Sequence, residues 1–145
     1  MFSLSQSVGY GVLALAHMDP EGETLALAAD IAAAANIPKP YLAKILAKLQ
    51  AAGIIEGKRG QNGGLRLLRK AHEISVFDLA DAIDGPSWRC RCLLGLPGCS
   101  DDHPCPVHGF WGQARDEIEK TLRAMTLDKV RAFTDAGWKM RNPAD

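Results

Sequence analysis

The spacing of apolar side chains divides the chain into helices and a single hairpin. Leu4, Val8, Val12 and Leu15 recur three or four residues apart, joined by Leu13 and Ala16, which predicts a first helix with one buried face. Ser3 or Ser5 can cap its start, and Asp19-Pro20 stops it after Met18. Gly9 and Gly11 each weaken a helix by about 1 kcal/mol relative to alanine. They therefore mark a close approach by a neighbouring helix or strand. Beyond the polar turn EGET, the stretch LALAADIAAAAN predicts a short alanine-rich helix ending near Asn36. Pro40 then falls in the first turn of a third helix, where its missing N–H would be unsatisfied anyway. This helix, Lys39 to Ala52, buries Leu42, Ile45, Leu46 and Leu49 and turns Tyr41, Lys44 and Lys48 outward.

Gly53 ends the third helix, and the pattern changes from helical to extended. Ile54 to Lys58 predicts one strand, RGQNGG a glycine-rich turn, and Leu65 to Leu68 the returning strand. Ser75, with Asp78 three residues on, is a capping box that opens a helix burying Val76, Leu79, Ala80 and Ile83. Gly85-Pro86 closes it. Trp111, Ala114, Ile118, Leu122 and Met125 line one stripe of a long helix from about Gly109 to Met125. Thr126 can cap a last helix carrying Leu127, Val130, Phe133 and Trp138. The predicted fold class is mainly α with a small β-hairpin wing: a winged helix-turn-helix followed by a long C-terminal helix. The corresponding division is a winged helix-turn-helix over residues 1–87, a cysteine-rich loop over 88–108, and a dimerisation helix and tail over 109–145. The winged core is complete before the long helix begins, so its stripe is expected to meet a second copy of the chain.

Charge sharpens this picture. The net charge is +0, but Lys39, Lys44, Lys48, Lys58, Arg59, Arg66, Arg69 and Lys70 face only one acid, Glu56, between Pro38 and Lys70. A basic helix joined directly to a basic hairpin suits an anionic partner that approaches from one side. The helix can enter a major groove, while Arg59 and the amides of the glycine turn reach phosphate or minor groove. The candidate DNA-binding residues are Lys39, Tyr41, Lys44, Lys48, Lys58, Arg59, Gln61 and Asn62.

The remaining chemistry is concentrated in WRCRCLLGLPGCSDDHPCPVHGFW, residues 88–111, which holds all four cysteines. Cys92 and Cys99 are separated by six residues, Cys99 and Cys105 by five, and Cys105 and His108 by two. Gly95, Pro97, Gly98 and Pro104 provide the bends that let such a segment fold back on one centre. Three readings compete. Iron-sulfur clusters favour thiolates and accept histidine. Structural zinc also takes three cysteines and one histidine, although its ligand pairs usually come as shorter knuckles. Disulfides or free redox thiols are the third, and no export signal supports disulfides. Cys90 is an alternative ligand beside Cys92, and His103 a reserve for His108. No apolar run is long enough to cross a bilayer and the N-terminus lacks a basic opening, so a cytoplasmic protein with no membrane partner is expected. Paired carboxylates, a nucleophile-base pair or a phosphate loop do not stand out, and His17 and His72 read as packing or surface residues, which argues against an enzyme.

These features together resemble a known family. Tyr10-Gly11, the segment PYLAKILAKLQAAGIIEGKRGQNGGLRL, the capped ISVFDLADAIDGP and the loop ending CPVHGFW are similar to the Rrf2 superfamily of bacterial winged-helix regulators, and within it to the IscR type. The resemblance implies a homodimer on a double-stranded palindromic operator, a sequence-specific regulator, expected to be a repressor, that senses cluster status, redox or nitric oxide stress. It also implies a 2Fe-2S cluster on Cys92, Cys99, Cys105 and His108, and dimer contacts through Trp111, Ala114, Ile118, Leu122 and Met125. The first cysteine gap is one residue longer than in IscR-like members and Cys90 is additional. NsrR-like members hold a 4Fe-4S cluster using an aspartate of the first helix; here that region reads SVGYG, with no acid. The alternatives are an iron-sulfur carrier or electron-transfer module, or a zinc- or thiol-switched regulator of the same fold.

Overall fold

The computed structural model describes residues 4–89 and 92–138. The chain forms helix α1 (Gln6–Ala16), α2 (Ala28–Ala35) and α3 (Lys39–Ala51), a hairpin of β1 (Ile55–Lys58) and β2 (Gly64–Leu67), then α4 (Val76–Asp84), α5 (His108–Ala124) and α6 (Leu127–Asp135). Short 3-10 turns at Ala71–Glu73 and Pro86–Trp88 flank α4.

Local chemistry explains most of the boundaries. Ser5 caps α1, its hydroxyl accepting from the Val8 amide. Ser75 and Asp78 form the reciprocal capping box of α4. Asn36 ends α2 in the left-handed conformation, φ 54°. Asparagine tolerates that region better than most residues. The Ile37 amide then returns to the Ala32 carbonyl, and Lys39 and Pro40 open α3 only three residues beyond α2. The α2–α3 pair is therefore a tight helix-turn-helix.

The hairpin is antiparallel, with Ile55 opposite Leu67 and Lys58 opposite Gly64. Its outer edge is covered in part: Ala26 and Leu65 exchange main-chain hydrogen bonds of 2.8 Å in both directions. The residues before α2, Leu25 to Leu27, are thus extended rather than helical, because β2 competes for their amides. At the wing turn a Cβ on Gly63 would stand 2.2 Å from the Lys58 carbonyl oxygen, so only glycine fits.

One core joins these elements. Leu15, Ile31, Leu42, Leu49, Ile55, Ile74 and Leu79 are all under 2% exposed. A Cβ on Gly11 would lie 2.5 Å from Ile83 Cδ1, which places the close approach of α1 at α4. The C-terminal segment belongs to this core too. Leu127 is buried with the α1 to α4 residues, Leu127 N donates to the Ile74 carbonyl and Val76 N to that of Met125. The Arg131 guanidinium donates to the Met18 carbonyl at 2.7 Å. α6 is therefore anchored to α1, although the sequence pattern placed it with a dimerisation tail. By contrast, α5 has no buried residue along its 17 positions. None of the described helices is long and apolar enough to cross a membrane.

Candidate metal centre and nucleic-acid face

The loop between α4 and α5 turns back on itself by local hydrogen bonds. Gly95 N reaches the Cys92 carbonyl, Cys99 N that of Leu96, and Ser100 and His103 exchange main-chain bonds. These turns bring the sulfurs of Cys92, Cys99 and Cys105 within 4.8 Å of one another. Cys92 and Cys105 are 3.8 Å apart, and Cys99 Sγ lies 3.1 Å from His108 Nδ1. His108 is the first residue of α5, so the three sulfurs gather beside the N-terminal end of that helix. A small open cavity lies among them, with Leu93, Trp111 and Arg115 completing its wall. Cys90 lies outside the described residues. His103 is exposed and does not line this cavity, whereas His108 does.

The donor set fits a soft metal or cluster. His108 Nε2 donates to the Asp101 carboxylate at 2.9 Å, leaving the Nδ1 lone pair on the sulfur side. Hydrogen bonds from the Leu96 amide, and then the Leu94 amide, bring the Cys92 thiol down to about 7 against the burial that raises it. Cys99 moves the other way. The Cys105 amide favours its thiolate, but burial and the neighbouring Cys105 and Cys92 groups raise its pKa. Without a cation, Cys99 is therefore held as the thiol at neutral pH. Two thiolates on one tetrahedral ion at about 2.3 Å lie roughly 3.8 Å apart, the spacing of Cys92 and Cys105.

The predicted DNA-binding residues occupy an exposed surface of α3 and the wing. Lys39, Tyr41, Lys44 and Lys48 lie on α3 and Lys58, Arg59, Gln61 and Asn62 on the wing, all exposed. Their partners differ. Arg66 is held by Glu56 across the hairpin, Lys70 by Glu21 and Arg69 by Asp78. Lys39, Lys44, Lys58 and Arg59 make no ion pair with a described residue, so the unpaired cations concentrate at the reading helix and wing tip. Lys48 departs from that group. Its Nζ donates to the Ile83 carbonyl at 2.6 Å and ties α3 to the end of α4. Tyr41 leans on Tyr10, ring centroids 6.3 Å apart, while staying 59% exposed.

The predicted dimer stripe is also divided. Trp111 faces the cysteine cavity, Ala114, Leu122 and Met125 are half-buried, and Ile118 is exposed at 38%. The pattern of the sequence missed Arg89, Asp101 and Arg115. Arg115 was findable, since it lies seven residues, or two helical turns, beyond His108 and so on the same face.

A helix-turn-helix with a paired wing and a basic exposed face defines a winged-helix DNA-binding transcriptional regulator. The chain belongs to the Rrf2 family, described as an iron-dependent transcriptional regulator, which it matches over residues 4–132. The transcriptional regulator IscR of Pectobacterium carotovorum is 32% identical over 102 residues, covering 70% of this chain and 62% of that protein. Among solved structures, CymR, the global cysteine regulator of B. subtilis, superposes with a TM-score of 0.72 at 25% identity, over 93% of this chain and all of that one. IscR of T. potens superposes with a TM-score of 0.70 at 25% identity, over 97% and 94% of the two chains. The chain is a regulator and not an enzyme.

Proposed function

We propose that this chain is a homodimeric repressor whose grip on a palindromic operator is set by an iron-sulfur cluster, of 2Fe-2S type, on Cys92, Cys99, Cys105 and His108. The observation that carries this reading is the convergence of three thiols and one imidazole nitrogen at the first residue of α5. Membership of a family described as iron-dependent agrees with it. When bound, the cluster supplies a centre sensitive to oxidants and nitric oxide. The chain supplies the rest: Asp101 orients His108, the Leu96 and Leu94 amides favour the Cys92 thiolate, and α5 carries any displacement of the loop toward the dimer stripe. On the DNA side, Lys39, Lys44, Lys58 and Arg59 neutralise phosphates, while Tyr41, Gln61 and Asn62 meet base edges or sugar. A tenfold change in operator affinity needs only about 1.4 kcal/mol of coupling. The reduced cytoplasm suits a sensor with free thiols.

A second reading has one observation in its favour. The Cys92 and Cys105 sulfurs are as close as two ligands of one tetrahedral ion, whereas a binuclear cluster divides its ligands between two irons. A zinc-held or thiol-switched regulator of the same fold has that geometry. Anaerobic purification followed by the visible spectrum, with iron, acid-labile sulfide and zinc assayed on the same sample, separates the two. Charge-transfer bands with near-equal iron and sulfide are the expected result; a colourless protein with one zinc per chain overturns the cluster. Footprints of the filled and metal-stripped protein on one operator then test the switch, which equal footprints and equal affinities would eliminate.

A further inference from the structure

One cation in the cysteine cavity has no part in holding its contents. Arg115 lines the same wall as Cys92, Cys99, Cys105 and His108. It makes no ion pair with a described carboxylate, and its Nε is sealed from solvent with no hydrogen-bond partner. A half-buried guanidinium in that state needs an anion, and the anionic groups of this cavity are the thiolates and whatever they bind. Another nitrogen of the same guanidinium is engaged. Arg115 Nη1 donates to the main-chain oxygen of Arg89 at 2.9 Å.

Arg89 leads into the DNA-reading half. Its guanidinium pairs with Asp81 of α4 at 3.0 Å and stacks over the Phe77 ring at 5.0 Å. Asp81 also accepts from Trp88 Nε1 at 3.0 Å, so the start of the loop is fastened to α4 at two points. Two residues further along α4, in the same turn, the Ile83 carbonyl accepts from Lys48 of the reading helix at 2.6 Å. From the cavity to α3 there are thus the side chains of Arg115, Arg89 and Asp81, the last turn of α4 and one lysine. A second link between α5 and α4, Arg123 over the Phe77 ring at 3.5 Å, lies outside the cavity and provides an internal control.

We propose that Arg115 is the positioning residue through which the contents of the cavity act on the DNA-reading half. Negative charge held by the thiolates fixes the guanidinium, and the fixed guanidinium holds the Arg89 carbonyl, α4 and, through Lys48, α3. Emptying the site releases the guanidinium and loosens that chain of contacts. The inference rests on the reading that the site is filled in the regulatory state, and applies whether a cluster or a single ion fills it.

The test uses full-length wild type, Arg115→Met, Arg115→Lys and Arg123→Met, purified anaerobically. The probe is a duplex selected from a random-sequence library by the filled wild type. Affinity is measured with the site filled and after stripping with a chelator, and the redox midpoint of the reconstituted cluster is measured in parallel. For Arg115→Met the ratio of filled to stripped affinities should move toward unity by about two- to thirty-fold. Its stripped affinity should stay within about twofold of wild type, and its midpoint should fall because a positive charge beside the centre is lost. Arg115→Lys should restore the midpoint but not the ratio, since one ammonium cannot serve the cavity and the carbonyl as a guanidinium fork does. Arg123→Met should leave the ratio unchanged. An unchanged ratio in Arg115→Met, or an equal loss of affinity in its stripped form, overturns the proposal while leaving the metal-switched regulator intact. A wild type that keeps neither cluster nor metal, or whose affinity ignores them, removes the underlying reading and this inference with it.

Discussion

The winged head and the cysteine-bearing half differ in what holds them together. In the head, side chains from α1 to α4 and the hairpin reach nearly complete burial around Leu15, Leu49 and Leu79. In the other half, α5 buries none of its residues, the loop thiols are half-exposed, and attachment to α4 is by aromatic and polar contacts: Trp88 on Phe77, Arg123 on Phe77, Arg115 on the Arg89 carbonyl. Apolar burial contributes roughly 25 cal/mol per Å² and needs no partner from outside. Polar and thiolate groups gain their stabilisation when something of opposite charge arrives. The head is therefore a finished scaffold, and the cysteine half has the composition of a site that responds to what binds it.

The contrast can be broken most sharply in the core. Leu79→Ala should cost about 2 to 5 kcal/mol of unfolding free energy in urea, through lost burial and the cavity left behind. Ile118→Ala, on the exposed side of α5, should change the dilute protein by only about 0.5 kcal/mol. A penalty for Ile118→Ala that grows with protein concentration would reveal a dimer held through this stripe. Equal losses for the two variants at low concentration would refute the division between scaffold and site.

A smaller effect is expected at Asp101. Its carboxylate holds His108 Nε2 at 2.9 Å yet stands fully in solvent, so it orients the imidazole without supporting the fold. Asp101→Ala should weaken retention of bound metal about 10- to 100-fold in a chelator competition with little change in the melting temperature. A normal affinity would show that the loop alone orients the ring.

The smallest effect is a pH profile. With its pKa lowered to about 7, Cys92 should be alkylated by iodoacetamide ahead of Cys99 in stripped protein, with the rate rising as pH climbs through about 7. The sign follows from thiolate being the nucleophile, so acid protects Cys92 and base exposes it. Filling the site should slow all three thiols. A midpoint near the ordinary thiol value of about 8.5 would mean that the Leu96 and Leu94 amides do not reach the sulfur in solution.

Local features were legible wherever the chemistry is short-range. Ser75 with Asp78, Asn36 before Pro40, and the glycines of the wing turn each state a boundary because the groups that satisfy one another lie within a few residues. The four ligand candidates could also be read, since cysteine spacing reports what a folded-back loop can bring together. Between the two histidines the spacing favoured His108 and kept His103 in reserve, and it is the start of α5 that turns His108 Nδ1 onto Cys99. The length of the second helix was overestimated for a related reason: the amides of Leu25 to Leu27 were expected to continue a helix, and an edge supplied by β2 drew Ala26 into a strand pairing instead.

The sequence by itself determined the winged architecture, the basic reading surface and the thiolate-rich loop, because apolar period, turn residues and charge clustering act along the chain. Only the tertiary structure decided which cations remain unpaired, that Lys48 fastens α3 to α4, that α6 returns to α1, and that Arg115 lines the cysteine cavity while its guanidinium bonds the Arg89 carbonyl. The three contacts each join a side chain to a main-chain carbonyl far away in sequence, and the packing of helices rather than any local propensity sets that distance.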